Sequence, residues 1–167
     1  MRPEGVTRGL VVLALAALLA ACGFQLRGTG EGAWPATLAR IHLGGPALEP
    51  QLERRLAPAL ERAGAELVAE RDRATARLEI VAFDEGEDLL ALGVGSTVRD
   101  LQITVRIDYT LDTGDASGPR RGSVASSRTV RSRADEIAAT LAEARRARRE
   151  LREESIDALV RRLAASG

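Results

Sequence analysis

The sequence contains no lysine, one cysteine, one histidine and very few aromatic residues. A single cysteine, Cys22, cannot form a disulfide within the chain, so the fold must depend on the packing of an apolar core. An aromatic content of 2% argues against a large aromatic ligand platform. All 24 basic residues are arginine. A GC-rich genome explains this most simply, and the alternative is a use of arginine for bidentate contacts with phosphate.

Few residues could support catalysis or bind a metal ion. His42 stands alone beside a Gly-Gly-Pro turn, and we interpret it as a structural histidine. The acidic run 84–88 lacks the spacing of a calcium loop, so we interpret it as a solvated turn. The segment Gly93-Val94-Gly95 lacks the third glycine and the lysine of nucleotide loops and predicts a tight hairpin turn. The sequence therefore predicts no enzyme activity, no metal and no cofactor.

The N-terminus has the features of an export signal. Arg2 and Arg8 flank an apolar run of twelve residues, 10–21, which is too short to cross a hydrocarbon core of about 30 Å. The run ends in Leu19-Ala20-Ala21-Cys22, which resembles a bacterial lipobox. This resemblance implies that residues 1–21 are removed and that Cys22 carries the lipid. The alternative is an ordinary thiol at the end of a signal.

The rest of the chain is predicted to form a lipidated tether, residues 22–38, followed by one domain, residues 39–167. Hydrophobic periodicity predicts five strands and two helices in this domain. The strands are predicted at residues 39–43, 65–69, 76–83, 97–111 and 123–133, and the helices at residues 49–63 and 135–165. This order predicts an α+β fold, a two-layer sandwich in which a mixed four- to five-stranded sheet carries two helices on one face.

Three details of these elements are open to test. Pro58 lies inside the first predicted helix, and we expect a kink or a break there. Residues 84–95 are predicted to be a connecting loop. The last helix would be long for this domain, so we expect a bend near residues 145–149.

Charge is distributed unevenly along the chain. Residues 31–119 carry 9 arginines and 16 acidic residues, whereas residues 120–162 carry 12 arginines and 7 acidic residues. The basic half could bind phosphate groups, or it could simply be an exposed, solvated helix face. The candidate phosphate ligands are Arg128, Arg131, Arg133, Arg145, Arg146, Arg148 and Arg149.

The segment Cys22-Gly23-Phe24-Gln25-Leu26-Arg27-Gly28 after the lipobox resembles the start of the mature chain in the LPS-assembly lipoprotein family of the LptE type. Trp34-Pro35 fits the loop that precedes the first strand in that family, and the order of elements is similar. The scarce aromatics, the missing lysines and the absence of a long polar tail depart from the family pattern.

The resemblance implies a lipid-anchored protein on the periplasmic side of the outer membrane. Its expected partner is a large outer-membrane β-barrel LPS-assembly protein, with which it forms a one-to-one complex. In that complex the lipoprotein is expected to plug the barrel and to help it assemble. LPS is the expected ligand, and the seven arginines are the candidates to bind it. Export excludes nucleic acid in practice. The alternatives are an auxiliary lipoprotein of a lipid-transport ABC system and a lipid-anchored hydrolase.

Overall fold

The computed structural model of the protein describes residues 34–92, 98–133 and 137–166. These residues form five strands and two helices, with short 3-10 turns at Ala36–Leu38 and Arg71–Arg73. The elements in chain order are β1 (Arg40–Gly44), α1 (Pro50–Ala63), β2 (Glu66–Leu67), β3 (Ala76–Leu92), β4 (Val98–Asp112), β5 (Arg120–Arg133) and α2 (Ile137–Ala164). The fold is α+β, as predicted.

The sheet is mixed, and its strand order is β2-β1-β3-β4-β5. β1 runs parallel to both β2 and β3, and α1 connects β1 to β2. β3, β4 and β5 are antiparallel neighbours, and β4 pairs with both of the others along nearly its whole length. β5 therefore forms one edge of the sheet.

The two faces of the sheet differ in polarity. Along β4, alternate residues from Ile103 to Leu111 are buried beneath the helices. The residues between them form an outer face that no described element covers. On that outer face Arg77 lies 3.6 Å from Asp112, and Arg131 lies 3.3 Å from Asp100. β4 therefore has one buried face and one face open to solvent.

The apolar core consists of two clusters beneath the helices. The main core joins α1 and the C-terminal half of α2 to β1, the start of β3 and the end of β4. Leu56, Ile107 and Leu159 are fully buried in it. The distal core joins the far end of β4 and β5 to the N-terminal half of α2. Its members are Ile103, Val105, Val130, Ala144, Ala147 and Leu151. Phe83 packs against both clusters and links them.

α1 begins with Pro50 in its first turn, where proline leaves no hydrogen bond unmade. It ends at Gly64, whose φ of 112° is a conformation that favours glycine. The helix is continuous through Pro58, so the predicted break does not occur. Pro58 is exposed, and the Arg54 carbonyl that loses its partner can be hydrated on the solvent side of the helix.

The predicted loop at residues 84–95 is wrong over most of its length, because β3 continues to Leu92. Pairing with β4 extends to this end of the strand, with Leu92 opposite Arg99. Two of the acidic side chains in this run, Glu85 and Glu87, have partners on α2, described below. Residues 93–97, with the predicted Gly93-Val94-Gly95 turn, lie outside the described residues.

α2 is uninterrupted from Ile137 to Ala164, so the helix does not end or restart near residues 145–149. A helix of 28 residues is about 42 Å long, and the 15-residue β4 spans about 50 Å. The long β3–β4–β5 antiparallel sheet thus provides a surface along the whole helix. No helix among the described residues combines the length and apolarity needed to cross a bilayer.

The domain packing begins before the predicted boundary at residue 39. Trp34 packs against the main core and donates a hydrogen bond from Nε1 to the Leu38 carbonyl at 2.7 Å. The Leu38 side chain is fully buried. The last five residues of the predicted tether therefore lie on the body of the domain, and residues 22–33 are outside the described residues.

Two strand glycines give a matched test of this packing. A Cβ added to Gly122 would lie 2.4 Å from the buried Tyr109 ring, whereas a Cβ added to Gly86 meets nothing within 4 Å. We expect Gly122→Ala to lower the free energy of unfolding by about 1–3 kcal/mol because the ring must shift. Gly86→Ala should be neutral or stabilising by up to about 1 kcal/mol. Urea unfolding of both variants measures the difference, and equal stabilities would contradict the packing.

Candidate functional site

The candidate arginines on α2 surround the helix and do not share one face. Ala144 and Ala147 are buried against the sheet. Because an α-helix turns once in 3.6 residues, the intervening arginines point to both flanks and to solvent. Arg145 and Arg149 are exposed and one turn apart, and no ion pair within the described residues involves them. We call these two residues the arginine ridge.

On the β5 side of α2, Glu150 binds two arginines. Its Oε1 accepts a hydrogen bond from Arg146 Nε at 2.8 Å, and its Oε2 accepts one from Arg128 Nη1 on β5. The hydrogen bond from Arg146, followed by that from Arg128, holds the pKa of the Glu150 carboxyl below its ordinary value. The hydrogen bond between Arg146 and Glu150 also raises the pKa of the Arg146 guanidinium. Glu150 is thus an anion at neutral pH and neutralises part of this positive charge.

On the β3 side of α2, two further arginines bind the acidic run. Arg148 pairs with Glu87, and Arg152 Nη2 donates a hydrogen bond to Glu85 Oε2 at 2.9 Å. The hydrogen bond with Glu85 raises the pKa of Arg152. Less than a third of the Arg148 and Arg152 side chains is exposed, so these pairs are partly shielded from water. Their first role is to fix α2 to β3.

The remaining candidates lie away from the ridge. Arg131 is on the outer face of the sheet, where it pairs with Asp100. Arg133 ends β5, and its side chain lies outside the described residues. The structure therefore brings Arg128 and Arg146 together but separates them from Arg131 and Arg148. The seven arginines do not form one cluster.

Sequence reasoning missed Glu85, Glu87 and Arg152 as partners. Residues two apart share one face of a strand, and residues four apart share one face of a helix. Glu85 and Glu87 are two residues apart on a strand, and Arg148 and Arg152 are four residues apart on a helix. This spacing is compatible with two ion pairs side by side. The interpretation of residues 84–88 as a turn in a loop does not reveal this spacing, because loop residues have no fixed face.

His42, which we interpreted as structural, is half-buried, and its Nδ1 donates a hydrogen bond to the Val68 carbonyl at 3.3 Å. The described residues contain no group of three or more His, Cys, Asp or Glu side chains placed to hold a metal ion. Cys22 lies outside the described residues, so its predicted lipidation stays a prediction.

The fold is similar to that of several solved lipoproteins. Rare lipoprotein B from Shewanella oneidensis matches with a TM-score of 0.66 at 13% identity, over 76% of this chain and 95% of that chain. An uncharacterized lipoprotein B from Nitrosomonas europaea matches with a TM-score of 0.65 at 18% identity, over 86% and 91%. A minor lipoprotein from Acinetobacter baumannii has a TM-score of 0.58 at 18% identity, over 79% and 95%.

Sequence comparison gives the family directly. No curated protein sequence matches the chain significantly. The family model described as LptE, lipopolysaccharide-assembly, matches residues 35–163, which includes every strand and all but the last residue of α2. The match therefore covers the sheet, α1 and the arginine surface, and this chain belongs to the LptE lipopolysaccharide-assembly family.

Proposed function

We propose that this protein is a lipid-anchored component of the outer membrane that faces the periplasm. In this proposal it plugs and helps to assemble a β-barrel LPS translocon and assists the passage of LPS to the cell surface. The family match over residues 35–163 is the observation that carries the proposal. The lipobox-like segment ending at Cys22 supports the anchor.

The outer face of the sheet suits contact with a barrel lumen. Barrel interiors are polar, so a plug needs a polar surface rather than an apolar one. The outer side chains of β4 and β5 are mainly Thr, Ser, Gln, Asp and Arg, and Gln102 contacts Ser127 across the two strands. Such a face can exchange hydrogen bonds with a polar wall without burying unpaired groups.

The arginine ridge suits contact with LPS. The lipid A and core parts of LPS carry phosphates, which arginine binds in bidentate fashion. Arg145 and Arg149 are exposed, lie one turn apart and are in no ion pair within the described residues. Arg128 and Arg146 lie on the adjacent flank, where Glu150 reduces their net charge.

The anchor and the barrel partner can be tested together. The full-length tagged protein and its Cys22→Ala variant are expressed in the native host with an alkyne-labelled palmitate. We expect the wild-type protein to carry the label and to copurify with one large β-barrel at one-to-one stoichiometry by mass spectrometry. The variant should be unlabelled and should leave the membrane fraction. Copurification of an inner-membrane transporter would instead favour the lipid-transport ABC alternative.

Charge reversal tests the ridge. We expect the double variant Arg145→Glu and Arg149→Glu to bind LPS about tenfold or more weakly, because two charge-assisted contacts are lost. The matched control is Arg54→Glu with Arg161→Glu, which changes the net charge equally at exposed helix positions elsewhere. Surface plasmon resonance on immobilised LPS measures both. Equal weakening in the two double variants would show that only net charge matters.

Glu150 gives a prediction of opposite sign. Glu150→Gln removes the carboxylate that neutralises Arg128 and Arg146. If these arginines also contact LPS phosphates, the affinity should rise by about threefold. The same resonance assay measures it, with circular dichroism to confirm folding. An unchanged affinity would restrict the LPS contacts to the ridge.

A further inference from the structure

β5 presents a long and regular edge with which no other strand of the described residues pairs. Its fourteen residues pair with β4 from Arg133 opposite Val98 to Arg120 opposite Leu111 without a single shift of register. The pairing of β3 with β4, by contrast, has two irregularities. Proteins usually protect edges with proline, bulges, short strands or charge. The stretch from Gly122 to Ser127 has neither proline nor a charged side chain, and its side chains are small.

The backbone groups on this edge point outward at odd-numbered residues. The Ser123 carbonyl accepts a hydrogen bond from Arg162 Nη1 at 3.4 Å, so it faces away from β4. Because backbone direction alternates along a strand, the N–H and C=O groups of Ala125, Ser127 and Thr129 also face away from β4. No backbone hydrogen bond from another described segment reaches these residues. The edge therefore offers the donors and acceptors that an added strand uses.

Two grooves border this edge, one between β5 and α2 and one that reaches the outer face of the sheet at Asp108. One groove, of about 530 Å³, is lined by Val130, Ala142 and Ala147, with the charged side chains of Arg128, Arg146, Glu143 and Glu150 around them. The other, of about 590 Å³, includes Gly122, Ser123 and Arg162. Val130 and Gly122 are eight residues apart, which is about 26 Å along a strand. An added strand would thus place side chains in both grooves, as in domains that bind peptides by strand addition beside a helix.

Charge indicates which segment the edge fits. From residue 116 to residue 133 the chain carries five arginines and no acidic residue. In the groove near Val130, Glu143 and Glu150 balance the arginines. In the groove near Ser123, Arg121 and Arg162 face only Asp108. Excess positive charge is therefore concentrated at the start of β5, and a second copy of this edge would bring arginines to the same surface.

We propose that the free edge of β5 binds an extended, acidic segment of another polypeptide as an additional antiparallel strand. The segment pairs with the outward backbone groups of residues 123–129. Because it runs antiparallel to β5, its C-terminal end reaches Arg121 and Arg162, and its carboxylates lie there. A small apolar side chain near its N-terminal end occupies the groove at Val130.

A synthetic peptide tests the proposal on the full-length protein in mild detergent. The probe is a fluorescein-labelled peptide of seven alternating valine and threonine residues followed by three glutamates. The matched peptide ends in three lysines. Two further peptides carry the acidic sequence with N-methyl groups on alternate backbone amides. One is methylated at the odd-numbered amides and the other at the even-numbered amides. Fluorescence anisotropy reports binding, and inorganic pyrophosphate serves as a competitor that carries charge without a strand.

The protein variants separate backbone pairing from charge. Ala125→Pro removes an outward N–H that β4 does not use, and proline is tolerated at such edge positions. Ala125→Thr keeps that N–H and adds side-chain bulk. We expect the acidic peptide to bind the wild-type protein and Ala125→Thr, and to bind Ala125→Pro about tenfold more weakly because hydrogen bonds are lost. The lysine peptide and one N-methylated register should also bind about tenfold more weakly.

Several results would overturn the proposal. They are no binding of the acidic peptide up to about 1 mM, equal binding of the acidic and lysine peptides, and undiminished binding of both N-methylated peptides. Full displacement by pyrophosphate, together with unchanged binding to Ala125→Pro, would show a simple anion site. If Ala125→Pro fails to fold by circular dichroism, the N-methylated peptides decide the question on the wild-type protein. Arg145→Glu with Arg149→Glu should leave peptide binding unchanged.

Discussion

The packing of one long helix along three long strands organises the rest of this structure. α2 places Ala144, Ala147 and Leu151 on the distal half of the sheet and continues into the main core through Leu159. Small residues let the helix lie close to β4 and β5, and close packing is what gives buried apolar surface its stabilising effect. Without this helix the distal strands would have no second layer, and a sheet face of Ile and Val would be exposed to water.

The same packing determines what the arginines can do. A helix that lies lengthwise on a sheet has two flanks and one solvent-facing side, and the arginines of α2 are divided among them. Those on the flanks meet glutamates: Arg148 and Arg152 bind β3, and Arg146 shares Glu150 with Arg128. The arginines on the solvent-facing side are in no ion pair within the described residues. They can therefore bind an external anion without breaking an existing pair. Arginine enrichment in the second half of the chain thus reflects both structural ion pairs and a candidate binding surface.

Three surfaces of the domain carry different chemistry as a result. The outer sheet face is polar, the arginine ridge is cationic, and the edge of β5 offers backbone groups that no other described strand uses. The proposed contacts with a barrel wall, with phosphates and with an added strand therefore centre on different surfaces, although Arg128 and Arg146 border both the ridge and the edge of β5. The roles proposed for the first two surfaces rest on the family assignment, whereas the proposal for the edge follows from the regular register of β5 and the direction of the Ser123 carbonyl.

The sequence alone determined the α+β class, the alternation of β4, the start and end of α1 and the resemblance to the LptE type, because these depend on local periodicity, on turn residues and on a short motif. Tertiary structure decided the length of β3, the continuity of α2 through residues 145–149 and the separation of the candidate arginines. Glu85 and Glu87 look like loop residues in isolation, since acidic side chains beside glycine favour solvent. They lie in a strand because β4 supplies the backbone partners and α2 supplies two arginines, and neither contact can be deduced from the neighbours in the chain.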